Sequence, residues 1–514
     1  MNGAELILKT LAVNGVGACF ANPGTSEMAF VDATSRVPEL PIVLTLFEGV
    51  ASGAADGYAR ISGKPASTLL HLGPGYANAM ANLHNARRAR SPIVNIVGDH
   101  ATAHLALNAP LTSKLSEIAD AYSVWSLNCS PHRISANTAL AVTEAVERQG
   151  PATLIVPGDV AWAESAPTVS RSNPRPRRKI AEDAITAAAR KVHSAGKQAL
   201  LVLGSNALSA KGLAAAAGIA QVTNAQLSCS TFNACMPRDR GRPFLPKVPY
   251  FAEQAAAFFA PYESIVLIGV DYPVSFFAYP GKPSLLPPRP EAVIDLASPT
   301  DDAEAALIAL AAALDTKPAA QSTAIEAIAR GTGSLTAETA ARSIARHLPE
   351  NAIVSDESAT SGTALVPLIP NMAPHETMDL MGGSIGQGLP VATGAAVAAR
   401  DRKVVCLSGD GGAMYTIQAL WTQARENLDV VTVIYANRAY RILSVEYQRI
   451  LGQAPPAHSR ALLEIDRPAL DFVALARGMG IDSERADTAE RFDELFAAAM
   501  NRRGRFLIEA NLAT

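Results

Sequence analysis

Gly409-Asp410-Gly411-Gly412 and, 27 positions after the aspartate, Asn437 are the residues of this chain whose types and spacing most suggest chemistry. The apolar run Val404-Val405-Cys406-Leu407-Ser408 leads into the first group and reads as a buried parallel strand. Val430-Val431-Thr432-Val433-Ile434-Tyr435-Ala436 leads into the asparagine in the same way. Ligands of open α/β sheets collect beyond the carboxyl ends of the strands. A carboxylate and an amide oxygen delivered there, beside glycines that admit close backbone approach, suit a hard divalent cation bridging to a diphosphate. On these residues alone a strand-ending turn is an equal reading, and the rest of the chain decides.

Glu48 stands where the run Leu44-Thr45-Leu46-Phe47 meets the Ala/Gly-rich stretch Gly49-Val50-Ala51-Ser52-Gly53-Ala54-Ala55-Asp56-Gly57-Tyr58-Ala59-Arg60. A lone carboxyl at such a strand end is poorly solvated and suited to sharing a proton with a heteroaromatic nitrogen. An acid favoured by a helix dipole is the competing account. Asn22-Pro23-Gly24-Thr25-Ser26-Glu27 follows another apolar strand end and reads as a turn into a helix capped by Thr25 or Ser26. His71 precedes the turn Leu72-Gly73-Pro74-Gly75; an imidazole there suits proton transfer near neutral pH or is simply hydrogen-bonded in place. His84 reads as a helix-surface residue, and His100 follows a strand and could reach the same cleft. Gly382-Gly383-Ser384-Ile385-Gly386-Gln387-Gly388-Leu389-Pro390 is glycine-rich, but lacks the strand and acidic partner of a dinucleotide fingerprint.

Together these segments resemble the thiamine diphosphate (ThDP) enzymes, specifically the acetolactate synthase-like and benzoylformate decarboxylase-like branches. The matching pieces are the GDG…N pair (with Ala436 where the first asparagine usually stands), the E-x-x-x-x-x-A-x-G-Y-A-R stretch, the N-P-G-S/T-x-E turn and the G-x-Φ-G-x-x-L-P segment. The resemblance implies that Gly409, Asp410, Gly411, Gly412 and Asn437 hold the diphosphate. Mg2+ would sit on Asp410, Asn437 and the Ala439 carbonyl, with Tyr440 and Ile442 bordering the cleft. Glu48 would contact N1′ of the aminopyrimidine, the Gly383 carbonyl would accept from its 4′-amino group, and Ile385 would enforce the bent cofactor that brings this group to C2. Thr25 would bind a substrate carboxylate and His71 would relay protons. The implied activity is decarboxylation or carboligation of a 2-oxo acid through a C2 carbanion and an enamine. A benzoylformate-type decarboxylase and a non-catalytic cofactor-binding relative are the alternatives. Phe276 and Phe277 stand where a second catalytic histidine is expected, and Glu446 reads as a solvated helical acid, with a second active-site acid as the alternative. The chain is somewhat short for an acetolactate synthase, which puts FAD in doubt. A homodimer or homotetramer with sites between subunits is also implied.

The chain has 514 residues, 49% hydrophobic and 18% charged, and carries a net charge of −3. That excludes a basic field for nucleic acid or membrane surfaces. Its amino-terminal residues lack a secretory pattern and its five cysteines form no CxxC pair, so a cytoplasmic protein with reduced thiols is expected. Apolar strand-like runs alternate with Ala-rich helical patterns throughout, predicting an α/β fold with three doubly wound parallel-sheet domains. The expected boundaries are 1–165, 180–315 and 335–514. A proline-rich basic linker from Ser165 to Lys179 marks the first break, and a softer one spans Asp315 to Ser322, with a helical stretch before Gly331.

Overall fold

The computed structural model describes residues 1–238, 241–319 and 326–513. The first strands are β1 (Cys19–Ala21), β2 (Ile42–Leu44), β3 (Ala66–His71), β4 (Ile93–Asp99), β5 (Trp125–Asn128) and β6 (Pro151–Pro157). They form one parallel sheet in the order β2-β1-β3-β4-β6-β5. Next come β7 (Ala199–Leu203), β8 (Gln226–Cys229), β9 (Met236–Arg238), β10 (Ser264–Ile268) and β11 (Val293–Ala297). All but β9 make a second parallel sheet, β11-β10-β7-β8. The third sheet holds β12 (Ala352–Glu357), β13 (His375–Asp379), β14 (Val404–Gly409), β15 (Val430–Ala436), β16 (Ser483–Ala486) and β17 (Phe506–Asn511). Its order is β16-β17-β15-β14-β12-β13-β9, parallel except for β9, which crosses over and pairs antiparallel with β13.

Helices cover both faces of these sheets, so the central strands are buried on both sides and read as unbroken apolar runs. Every residue of β4, β6, β7, β10 and β15 is buried. The segment 165–181 holds no helix or strand and is pinned by side chains, such as Arg175 on Glu147 and Arg178 on Asp301. The helical stretch expected before Gly331 does not form in 326–330, which has no regular structure; residues 320–325 lie outside the described residues. All five cysteines are free thiols, four of them buried. No helix among the described residues is long and apolar enough to cross a membrane.

The first and third sheets meet through two helices, Glu48–Ser62 and Gly388–Ala398. They lie almost backbone to backbone, because small residues face each other across the contact. A Cβ placed on Gly394 would stand 1.8 Å from the Ala54 carbonyl oxygen, and one on Gly57 would stand 2.1 Å from that of Val391. One turn beyond Gly57, the Arg60 side chain is 1% exposed and paired with the fully buried Asp56. Its remaining N–H groups donate to the carbonyl of Asp379 at 3.0 Å, the carbonyl of Ala234 at 3.4 Å and the Gln387 side chain at 3.4 Å. A side chain at Gly394 would push the two helices apart. Gly394→Val is expected to cost ~3 kcal/mol or more, seen as a lower midpoint in chemical denaturation; an unchanged midpoint would show that the contact tolerates separation.

Candidate active site

Each of the two outer sheets has a point where its winding reverses, and a crevice opens there beyond the carboxyl ends of the strands. In the first sheet the reversal falls between β1 and β3. The turn after β1 carries Gly24 to Glu27, and β3 ends on His71. Glu27 is fully buried, and its carboxylate accepts the Gly24 amide at 2.8 Å and lies 2.8 Å from His71 Nδ1. The Ser26 hydroxyl reaches both, donating to Glu27 at 2.5 Å and lying 3.0 Å from the imidazole. Glycine is required around this cluster: a Cβ at Gly98, the register partner of His71, would stand 1.8 Å from Glu27 Oε1. A Cβ at Gly24 would overlap the imidazole.

This arrangement corrects the expected cap. The short helical turn Thr25–Glu27 begins after Gly24, and the group that satisfies its amino end is the Glu27 carboxylate. Ser26 is occupied by Glu27 and His71, while Thr25 is exposed at the tip of the turn. Glu48 opens the helix after β2, is 6% exposed, and accepts a hydrogen bond from Asn78 Nδ2 at 3.0 Å. A Cβ on Gly75 would stand 3.1 Å from its Oε1, so glycine here gives the carboxyl its room. His100 follows β4 and is half-buried; its Nε2 has no partner among the described residues, and its ring lies 5.4 Å from that of the exposed His104.

In the third sheet the reversal falls between β12 and β14. β14 delivers Asp410, 3% exposed, at the start of the short helix Asp410–Ala413. Its two carboxylate oxygens accept the amides of Gly411 at 2.8 Å and Arg438 at 2.5 Å. Burial pushes this carboxyl above its usual range, against the pull of those amides. Asn437 follows β15, and its side-chain oxygen accepts the Ala439 amide at 3.0 Å. Arg438 between them adopts a left-handed backbone with φ of 58°, a conformation stored at functional sites at a cost of order 1 kcal/mol. Gly409 faces open space, and Gly411 lies against the Tyr440 ring where a Cβ would stand 2.4 Å from a ring carbon. Tyr440 and Ile442 are half-buried at the start of the helix Arg441–Leu451. Glu446 on that helix is not solvated as expected: it is 8% exposed, and Arg449 donates to it at 3.0 Å.

The loop 382–388 links the first and third sheets of the chain. Asn82 Nδ2 donates to Gly49 O at 2.8 Å and to Gly386 O at 3.2 Å, so it touches both the Glu48 helix and this loop. Asn85 brackets Ser384 through its carbonyl and amide. His84, expected on a helix surface, is half-buried and bonded to Gly382 O at 3.1 Å. Gly383 is exposed with φ of 74° and open space where a Cβ would be, and Ile385 is half-buried beside it. Glu357 at the end of β12 accepts the amides of Gly386, Gln387 and Gly388 from beneath.

These features fit a bound diphosphate cofactor. Glycines leave open space at 383 and 409, a buried carboxylate lies where a cation's charge would settle it, and a second buried carboxyl stands at the opposite crevice. Among the described residues no group of three or more His, Cys, Asp and Glu could hold a metal, so a cation here would rest on one carboxylate with neutral oxygens. Four contributors lay outside the sequence reading: Asn78, Arg438, Glu27 as partner of His71, and Glu357. Glu357 follows Ser355-Asp356 after the short apolar run Ala352-Ile353-Val354, and no sequence signal set it apart.

Comparisons with known proteins agree with this geometry. The family described as thiamine pyrophosphate enzyme, N-terminal TPP binding domain, matches residues 1–123, and the corresponding C-terminal TPP binding domain matches residues 361–510. A Mycobacterium tuberculosis protein named "Putative acetolactate synthase large subunit IlvX" is 46% identical over 99% of this chain and 98% of its own length. Benzoylformate decarboxylase of Pseudomonas aeruginosa is 28% identical over 98% of this chain and 97% of its own. Among solved structures, a thiamine diphosphate-dependent 4-hydroxybenzoylformate decarboxylase of Rhodococcus jostii superposes with a TM-score of 0.85 over 100% of this chain and 99% of its own, at 24% identity, and so shares the fold. Both crevices, the loop between them and these likenesses assign the chain to the thiamine pyrophosphate-dependent enzymes, and within them it is acetolactate synthase-like.

Proposed function

We propose that this enzyme binds ThDP together with Mg2+ and acts on a 2-oxo acid, by decarboxylation, carboligation or both. The observation that carries this reading is the buried Glu48 carboxyl at the mouth of the first crevice, held by Asn78 with a glycine beside it. When bound, ThDP supplies a nucleophilic carbon and an electron sink for carboxylate loss. Glu48 holds a proton opposite a ring nitrogen, and Asn78 fixes the orientation of its carboxyl. Asp410, Asn437 and the Ala439 carbonyl hold the cation; Gly409, Gly411 and Gly412 let backbone approach the diphosphate; Tyr440 and Ile442 border the cleft. The Gly383 carbonyl and the Ile385 side chain would hold the pyrimidine end of the cofactor. Thr25, exposed at the tip of its turn, binds the substrate carboxylate. Residues 1–165, 180–315 and 335–514 serve as pyrimidine-binding, middle and diphosphate-binding domains of a cytoplasmic protein.

A decarboxylase of the benzoylformate type is a second reading, favoured by the His71–Glu27 pair. An imidazole 2.8 Å from a buried carboxylate is oriented to deliver a proton. Against it, the resemblance expects a second histidine near Phe276 and Phe277, which are 44% and 54% exposed, with Tyr250 packed on the first; its replacement would weaken protonation and favour carboligation. With pyruvate and benzoylformate supplied separately to the holoenzyme, proton delivery by His71 predicts aldehyde as the main product. Predominantly acetolactate-type products would favour carboligation.

Glutamine at position 48 keeps the shape but cannot hold or release the proton. Glu48→Gln is therefore expected to slow the exchange of the C2 proton of bound ThDP, followed by NMR in D2O, by about 10²–10⁴-fold, with ThDP still bound. Exchange as fast as in the parent would reduce Glu48 to a helix-start acid.

We also propose a homodimer, or a tetramer of two such dimers, in which Glu48 of one chain and Asp410 of another serve one cofactor. Asp410→Ala removes the only carboxylate of the cation set and should abolish Mg2+-dependent ThDP binding. Mixing this variant with Glu48→Gln under subunit exchange should restore part of the activity, since one hybrid site carries neither substitution. Tight Mg2+-dependent binding by Asp410→Ala would overturn the cation assignment, and no recovery despite demonstrated exchange would place each site within one chain.

A further inference from the structure

Glu357 is 4% exposed and has no cationic partner among the described residues, yet no step of the proposed chemistry uses it. Its Oε1 accepts the amides of Gly386 and Gln387, the latter at 3.3 Å, and its Oε2 accepts the amide of Gly388 at 2.6 Å. Burial pushes the carboxyl up to about 7, against the pull of those three amides, and the charge of Asp356 adds to the rise. A buried anion without a cation is costly. Here the amino end of the 11-residue helix Gly388–Ala398 and its orphan N–H groups offset that cost. The neighbourhood is cut to fit the carboxylate: a Cβ on Gly388 would stand 2.8 Å from Oε2, and one on Gly412, beside the diphosphate motif, 3.3 Å from the carboxyl carbon.

The other side of the same loop is also held. The Gly386 carbonyl accepts from Thr416 at 2.8 Å and from Asn82 at 3.2 Å, Asn85 holds Ser384, and His84 is bonded to the Gly382 carbonyl. Gly383 and Ile385 are left without hydrogen bonds among the described residues, and these are the two positions that face the pyrimidine in the reading above. The amide contacts lie immediately after Ile385, so their register sets where that side chain and the Gly383 carbonyl stand.

We propose that Glu357 is a positioning residue that fixes the loop 382–388, and through it Gly383 and Ile385, against the cofactor's pyrimidine. Glutamine cannot replace it: one end of its amide would present N–H groups to backbone N–H groups, releasing at least one of the three contacts. The inference rests on the ThDP reading and deepens it.

The test compares C2-proton exchange of bound ThDP, at saturating ThDP and Mg2+, in the parent, Glu357→Gln, Glu357→Asp and Leu310→Ala. The last variant is a control that weakens the middle-sheet core, where Leu310 is fully buried. A misplacement of about 1 Å costs about 10²-fold in a geometry-dependent step, so Glu357→Gln is expected to slow exchange by that order. Glu357→Asp, which keeps the charge but retracts it by one methylene, should slow exchange less, and Leu310→Ala should leave it unchanged. Parent-like exchange in Glu357→Gln would overturn the proposal, as would equal slowing in Leu310→Ala. Should the glutamine variant fail to fold, parent-like exchange in Glu357→Asp overturns it. Absence of exchange in the parent itself would instead reject the cofactor reading.

Discussion

Arg60 is the interaction on which the packing of the first sheet against the third depends. Its guanidinium is buried, paired with Asp56 one turn earlier, and spends its remaining donors on the carbonyls of Asp379 and Ala234 and on the Gln387 side chain. A buried charge is tolerable only when its donors are satisfied, and these acceptors come from three separate stretches of the chain. The Glu48 helix is thereby fixed against the third sheet, and the glycine-lined contact with the helix Gly388–Ala398 sets how closely they lie. Glu48 starts the first of these helices and the 382–388 loop starts the second. How the helix that carries Glu48 lies against the helix that the 382–388 loop leads into is thus a matter of packing within one chain.

Both crevices follow from strand order. A parallel sheet that reverses its winding leaves a gap where successive connections depart to opposite sides, and the residues ending the two flanking strands face into it. Glu27 and His71 meet in the gap between β1 and β3, and Asp410 and Glu357 flank the gap between β12 and β14. Glycines at 24, 75, 98, 388 and 411 are each crowded by a side chain of the cluster they serve, so their role is to make space for particular groups.

The sequence was legible where burial on both faces makes a strand continuously apolar. Val404–Leu407, Val430–Tyr435 and Ile93–Val97 stood out for that reason, and the residues at their ends pointed to the site. Edge strands were not legible: Trp125–Asn128 and Ser483–Ala486 lie at sheet borders, carry polar residues and show no apolar run. His375–Asp379 is hidden for the same compositional reason. The local motifs conveyed which residues gather, but not how they are held. Glu27 on His71, Asn78 on Glu48, His84 on Gly382 and the burial of Glu446 all depend on contacts between segments distant in sequence, which spacing cannot express.

Met236–Arg238 has a different consequence. This short strand leaves the middle segment and lies antiparallel along β13, while Asn233 and Lys247 from the same segment bind the Asp379 side chain at its end. The border of the third sheet is therefore closed by residues that belong, in chain order, elsewhere. Cutting the gene at the apparent modular joints would leave β13 with a bare row of backbone donors and acceptors, open to pairing with another molecule. The middle segment and the carboxyl-terminal sheet therefore form one folding unit at this border, although the linkers suggest two.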